Sequence, residues 1–295
     1  MQAQEVVLEN ERARVAVVPE MGGGIARLDV RGADGRFRSL LRPWNGRTSD
    51  GPFALASNVL VPFSNRISGG GFAFDGQFHG IEPNLADQEF PIHGDGFTRE
   101  WFVSEQTGST LTLHCLGGDI GPFRYQARQT LVLSQTGLEV SLGVTSKSAA
   151  ALPFGVGFHP WFPRSPQTKI RFSADRVWLE NEKHLPIAPI DIETKGYWDF
   201  SDLTALPNGW INNAFTGWNC ICDVEQGAEA VSFRLTASGN LGVALVFSPG
   251  CDADFFCFEP VSHPVDAHNL PGFPGLKILA PDETLRVAMT LDWSS

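Results

Sequence analysis

Four polar residues stand where packing alone does not call for them. Arg66 lies in Pro62-Phe63-Ser64-Asn65-Arg66-Ile67-Ser68-Gly69-Gly70-Gly71-Phe72, between apolar neighbours and a three-glycine run. A guanidinium offers five donors in a rigid fork, so it can brace loop carbonyls or hold an oxygen-rich ligand. His93 is followed by glycine in Ile92-His93-Gly94-Asp95-Gly96-Phe97. Backbone there can approach a ligand closely, and a buried structural imidazole fits equally well. His159 is the one ionisable residue of Pro153-Phe154-Gly155-Val156-Gly157-Phe158-His159-Pro160-Trp161-Phe162-Pro163. Burial would lower its pKa and a neighbouring carboxylate would raise it. Glu259 ends the apolar run Phe255-Phe256-Cys257-Phe258-Glu259-Pro260-Val261. A carboxylate so flanked is costly to bury unless it is hydrogen-bonded or functional. His263, Asp266, His268 and Asn269 follow in a polar loop and read as solvated.

The elements that must position these residues read as strands. Leu111, Leu113 and Cys115 alternate with polar residues, as do Leu138, Val140 and Leu142. Val231, Phe233 and Leu235 repeat the pattern, and Val287, Met289 and Leu291 close it. Period-two alternation marks half-buried antiparallel strands. Leu241 to Phe247 is almost continuously apolar and suits a strand covered on both faces. No long window carries a helical stripe free of Gly and Pro. Pro186 to Pro207 reads as a long excursion. The expected fold is all-β, one large antiparallel β-sandwich spanning residues 1–295 as a single domain. Such a sheet can hold a ligand groove on its concave face.

Composition narrows the function. The chain has 295 residues, with Lys+Arg 22 against Asp+Glu 33 and a net charge of −11. That balance disfavours nucleic acid and anionic membrane surfaces as partners. No apolar run is long enough to span a membrane. Met1-Gln2-Ala3-Gln4-Glu5 lacks the pattern of a secretory leader. Five cysteines, an odd number, argue against a disulfide framework and for the cytoplasm. Cys220-Ile221-Cys222 is a candidate metal or redox pair, but reads first as two positions on one strand face. Phe 22 and Trp 8 stand against Tyr 2, and the excess clusters partly around His159 and Glu259.

Taken in order, these segments resemble the aldose 1-epimerase (galactose mutarotase) family. The matching elements are Asn-Arg-Ile before glycines, His-Gly…Gly-Phe, Gly-x-x-His-Pro-aromatic-Phe, and Glu-Pro near the C-terminus. Gly22-Gly23-Gly24 and Ile25-Ala26-Arg27-Leu28 extend the likeness to the N-terminal strands. The resemblance implies a galactose mutarotase-like supersandwich. It implies an isomerase that interconverts the α and β anomers of free aldoses with no metal or organic cofactor. It makes Glu259 the general base and His159 the general acid. His93 and Arg66 would hold the sugar, with Asn65 accompanying Arg66 as scaffolding. The aromatics beside His159, Trp161 among them, could be simple core or an apolar platform for the sugar's carbon face. Asn212, in Ile211-Asn212-Asn213-Ala214-Phe215, stands where family members commonly carry a hydroxyl-binding Asp, so a charge is lost there.

The chemistry fits those residue types. A base takes the proton of the C1 hydroxyl while an acid protonates the ring oxygen, and both reverse on closure. Opposite charges on Glu259 and His159 would favour the ionised pair. Burial among Phe158, Trp161 and Phe258 would oppose it. Three rival readings stay open. A hexose 6-phosphate mutarotase would need cations such as Arg99, Arg124, Arg128 or Arg164. A sugar-binding module would not need the acid–base pair. A metalloenzyme would use His93, His159 and Glu259 as ligands. The physiological sugar is open, and so is a homodimer through exposed edge strands.

Overall fold

A computed structural model describes residues 4–228 and 230–293. The first three residues of the N-terminal stretch read above lie outside the described residues. Two large sheets face each other, of eleven and nine strands, with two small two-stranded sheets beside them. Their strand pairs are antiparallel throughout. The expected all-β sandwich is the fold observed. Among the described residues the helical content is four short 3₁₀ turns, and no helix is long and apolar enough to cross a membrane.

Alternation decides which face of each strand is dry. Phe123–Leu133 buries every second residue, with Phe123, Tyr125, Ala127, Gln129, Leu131 and Leu133 inward. Its outer face meets water, as expected of the nine-stranded sheet. The eleven-stranded sheet behaves differently at its centre. Val243–Ser248 and Phe255–Val261 are buried on nearly all positions, because loops cover the face turned away from the partner sheet. The apolar run from Leu241 is thus a doubly covered strand, as its composition predicts.

Two readings need correction. The Pro186–Pro207 excursion contains a strand, Pro186–Asp191, which pairs with Arg176–Glu180 at the sheet edge. Its two prolines are tolerated there because an edge strand has one unpaired side. Cys220 lies just before the strand Ile221–Glu225, in a left-handed conformation, so it does not share a strand face with Cys222. All five cysteines are free.

Four histidines are buried: His93, His159, His263 and His268. Burial lowers each, with His263 at about 4, His159 and His268 at about 3, and His93 well below its usual value. The folded pKa values lie below the unfolded ones, so the unfolded chain binds more protons as pH falls from about 6.5. Stability is therefore full above that pH and is lost toward the folded values. Each histidine contributes at most about 1.4 kcal/mol per pH unit, and Glu259, whose pKa is raised, opposes with one proton. Urea midpoints measured at pH 7.5, 6 and 5 are expected to fall steeply. A flat midpoint would mean that these imidazoles are not kept neutral by the fold.

Candidate active site

The register of two central strands sets the pair. Gly157–Pro163 runs against Phe255–Val261, pairing Gly157 with Val261 and Trp161 with Cys257. Midway between those pairs His159 stands opposite Glu259, both on the loop-covered face. Pro160 and Pro260 have no N–H to donate, and the ladder skips that stretch. His159 Nε2 lies 3.4 Å from Glu259 Oε1, with the two residues 7% and 4% exposed. Alternation sends Phe158 and Phe258 to the opposite face. Phe258 packs on Phe172 and Trp218 in the inter-sheet core, so neither ring lines the site as expected.

Trp161 shares the face of His159 but is no sugar platform. Its ring stacks on the His159 imidazole at 3.8 Å with planes 8° apart. The Arg42 guanidinium lies over the same indole at 5.1 Å and over Phe255 at 4.9 Å. At 5% exposure Trp161 has no open ring face. It fixes the imidazole plane instead. Phe53, a residue that sequence reading passed over, packs against His93, His159 and Trp161 from the loop side.

Burial opposes the ionised form of both groups. Desolvation pushes His159 down to about 3, with Arg42 adding to the effect. Desolvation pushes the Glu259 carboxyl well above its ordinary range, against the pull of Arg66. Glu259 Oε2 and His159 Nδ1 have no hydrogen-bond partner among the described residues. A neutral imidazole beside a protonated carboxyl holds the same proton count as the ion pair. Over a wide pH range the two groups therefore share one transferable proton and titrate as a unit.

His93 and Asn65 are locked together. The Asn65 N–H donates to His93 Nδ1 at 3.0 Å, and the His93 N–H donates to the Asn65 carbonyl at 2.9 Å. Nδ1 accepts, so the neutral ring carries its proton on Nε2. The His93 ring meets that of His159 at 5.2 Å, edge to face. Gly94 follows with φ of 67°, and a Cβ there would overlap the Val61 carbonyl. Asp95 then accepts from the Tyr125 hydroxyl and from Arg99 Nε, each at 2.6 Å, which anchors the loop.

Arg66 is held from two sides. Asn65 Oδ1 accepts from the Arg66 N–H at 3.0 Å and from Nη1 at 3.1 Å, the scaffolding that the sequence suggests. The loop after Glu259 braces the same segment, and here the reading of solvated residues holds for the exposed Asn269 and fails for the other three. His263 accepts from the Ser64 N–H, and Asp266 accepts from the Ser68 N–H and hydroxyl. Asn269 donates to the Ser68 and Gly71 carbonyls. His263, Asp266 and His268 are buried. Burial lowers the Arg66 pKa, and the charges of Glu180 and Glu259 oppose that fall.

Asn212 stands on the same face through a row of directly paired residues. Trp161 pairs with Cys257, Cys257 with Phe247, and Phe247 with Asn212. The charge is absent at position 212 as expected, but Asn212 Nδ2 donates to Glu180 Oε2 at 2.7 Å, so a carboxylate stands beside it. Glu180 ends the strand Arg176–Glu180. Sequence reasoning missed it, although Val177-Trp178-Leu179-Glu180 carries the same sign as Glu259, a carboxylate closing an apolar run.

Of the four arginines weighed for a phosphate, Arg99 pairs with Asp95 and Arg124 with Asp119. Arg164 donates to Ser248 and to the Pro207 carbonyl. Arg128 lies on the nine-stranded sheet. The metal reading also changes. Among the described residues, the group with ligand atoms within 4.8 Å of one another is His159, Cys257 and Glu259, without His93. Burial raises both the Cys257 thiol and the Glu259 carboxyl, which opposes the deprotonation a metal ion needs.

Comparison with known proteins agrees over nearly the full length. The sequence profile of the aldose 1-epimerase family matches residues 4–292. The Escherichia coli (strain K12) protein YphB is 36% identical over 262 residues, covering 86% of this chain and 89% of its own. YihR of the same organism is 31% identical, covering 86% and 82%. A crystal structure of an E. coli K12 protein named for aldose 1-epimerase superposes with a TM-score of 0.89 at 32% identity, covering 98% of each chain. A galactose mutarotase-like protein from Clostridium acetobutylicum has the same fold, with a TM-score of 0.83 at 17% identity, covering 98% of this chain and 94% of its own.

Proposed function

The chain belongs to the aldose 1-epimerase family, and from that premise we propose that Glu259 and His159 interconvert the α and β anomers of a free aldose. The Glu259 carboxylate takes the proton of the C1 hydroxyl while protonated His159 gives its proton to the ring oxygen. The C1–O5 bond breaks, leaving an aldehyde and a hydroxyl on C5. Rotation about C1–C2 and attack by that hydroxyl on the other face, with both transfers reversed, gives the other anomer. Proton count is conserved at each stage, so no external donor is needed.

The observation that carries this reading is a buried carboxyl and imidazole 3.4 Å apart. A dry site strengthens each transfer once substrate is held. Arg66 beside Glu259 favours the carboxylate form that starts the cycle, and His93 presents Nε2–H toward a sugar oxygen. A pure binding module would gain nothing from burying two such groups without other partners. The free thiols suit a cytoplasmic setting.

The test is anomer exchange on freshly dissolved α-D-glucose and α-D-galactose, followed by polarimetry and by NMR exchange. Wild-type protein is expected to speed approach to equilibrium in the presence of chelator. A panel of free aldoses and their 6-phosphates that equilibrate no faster than in buffer would overturn the proposal.

A further inference from the structure

Glu180 is a partly buried carboxylate that the acid–base chemistry does not use. Three donors fix it: Trp210 Nε1 to Oε1 at 2.7 Å, Asn212 Nδ2 to Oε2 at 2.7 Å, and His184 Nδ1 facing Oε2 at 3.0 Å. A carboxylate offers about four acceptor positions, so three donors leave about one for a ligand. Its side chain is 19% exposed, so that position can be reached. The Asn212 amide is held by its bond to Glu180, and its carbonyl oxygen is a second acceptor. Trp210 is half exposed and packs edge-on to Phe247, forming an apolar flank beside the two acceptors.

The placement is as telling as the chemistry. Glu259, Leu245 and Ala214 are successive partners across the sheet, and Ala214 pairs with Trp178 in the strand that ends at Glu180. Three strand spacings separate the strands of Glu259 and Glu180, about 14 Å between backbones. Both carboxylates act on the Arg66 guanidinium, which places the two acidic groups near one cation.

Resting on the mutarotase reading, we propose that Glu180, aligned by Asn212, accepts a hydrogen bond from a sugar hydroxyl remote from C1 and restricts the substrate to aldoses uncharged at that end. A hydroxyl donates to a carboxylate in a charge-assisted bond. A phosphate in the same place meets like charge and finds its acceptors facing acceptors. Arg66 lies within reach of both carboxylates and is half committed to Asn65, so it does not reverse that sign.

The experiment measures kcat and KM by NMR exchange for wild type, Glu180→Gln and Asn212→Asp. Substrates are glucose, galactose, their 6-phosphates, and the 2-, 3-, 4- and 6-deoxy sugars. Wild type is expected to prefer free aldoses and to lose about ten- to a hundredfold in kcat/KM on removal of one particular hydroxyl. Glu180→Gln is expected to raise KM about tenfold, more than it lowers kcat, and to erase the penalty for that same deoxy sugar. A scaffold role would lower activity on every sugar alike and leave the deoxy penalty intact. Asn212→Asp sets two carboxylates side by side and is expected to weaken binding, with recovery at lower pH. Equal KM for Glu180→Gln and wild type, or wild-type preference for the 6-phosphate, would overturn this proposal while leaving the acid–base assignment standing. Should Glu180→Gln not fold, the wild-type deoxy and phosphate panels still decide. Wild type inactive on all sugars would instead remove the mutarotase reading itself.

Discussion

Glu259→Gln is expected to lower kcat for anomer exchange by about 10²–10⁴-fold while leaving the fold intact. The argument starts from burial. Desolvation favours the protonated carboxyl, and Gln has the shape of that form. The substitution therefore removes little that the resting protein uses. It also removes the cost of ever ionising a group that is 4% exposed, so denaturation midpoints near pH 7 should hold or rise. What it deletes is the capacity to take a proton from C1–OH, and no neighbour can replace it. Cys257 is on the same strand face, but burial raises its thiol pKa well above the usual value. NMR exchange on α-D-glucose reads the loss directly. A rate within about threefold of wild type would refute Glu259 as the base.

The sheet architecture was legible because most strands bury one face, and period two survives any neighbour. Leu138, Val140 and Leu142 point inward whatever lies across from them. The proposed acid–base pair was legible for a different reason. His159 and Glu259 each interrupt an apolar stretch, and such interruptions are expensive enough to need a purpose. What escaped was tertiary. Whether a loop polar residue is wet depends on what packs over it. His263, Asp266 and His268 look solvated in sequence, yet all three are buried: His263 and Asp266 brace the Arg66 segment, and His268 meets the Pro153 carbonyl. Trp161 looked like an open platform because the sequence does not place Arg42 above it. Glu180 was missed because its contact with Asn212 joins residues 32 apart. The charge missing from position 212 sits on a neighbouring strand, which no local motif records.

His159→Asn tests the other half of the pair, and its pH profile carries the sharper result. The loss expected in kcat is again about 10²–10⁴-fold. In wild type the pair holds one proton from the lowered His159 value, about 3, up to the raised value of Glu259. The acid limb of kcat/KM should therefore lie well below the 6.5 of an unperturbed imidazole. The amide introduced by His159→Asn cannot hold that proton. Residual activity should then rise with pH as Glu259 ionises alone, with a midpoint above the ordinary carboxylate range. The smaller side chain also leaves a slot against Trp161, whose indole stacked on the lost ring. Imidazole added from solution can enter that slot and donate the proton to O5, so partial rescue that saturates with imidazole is expected. A variant with a wild-type acid limb, or one retaining full activity, would remove His159 from proton transfer. Rescue without saturation would mean that imidazole acts in bulk solution and that the slot is not the donor's place.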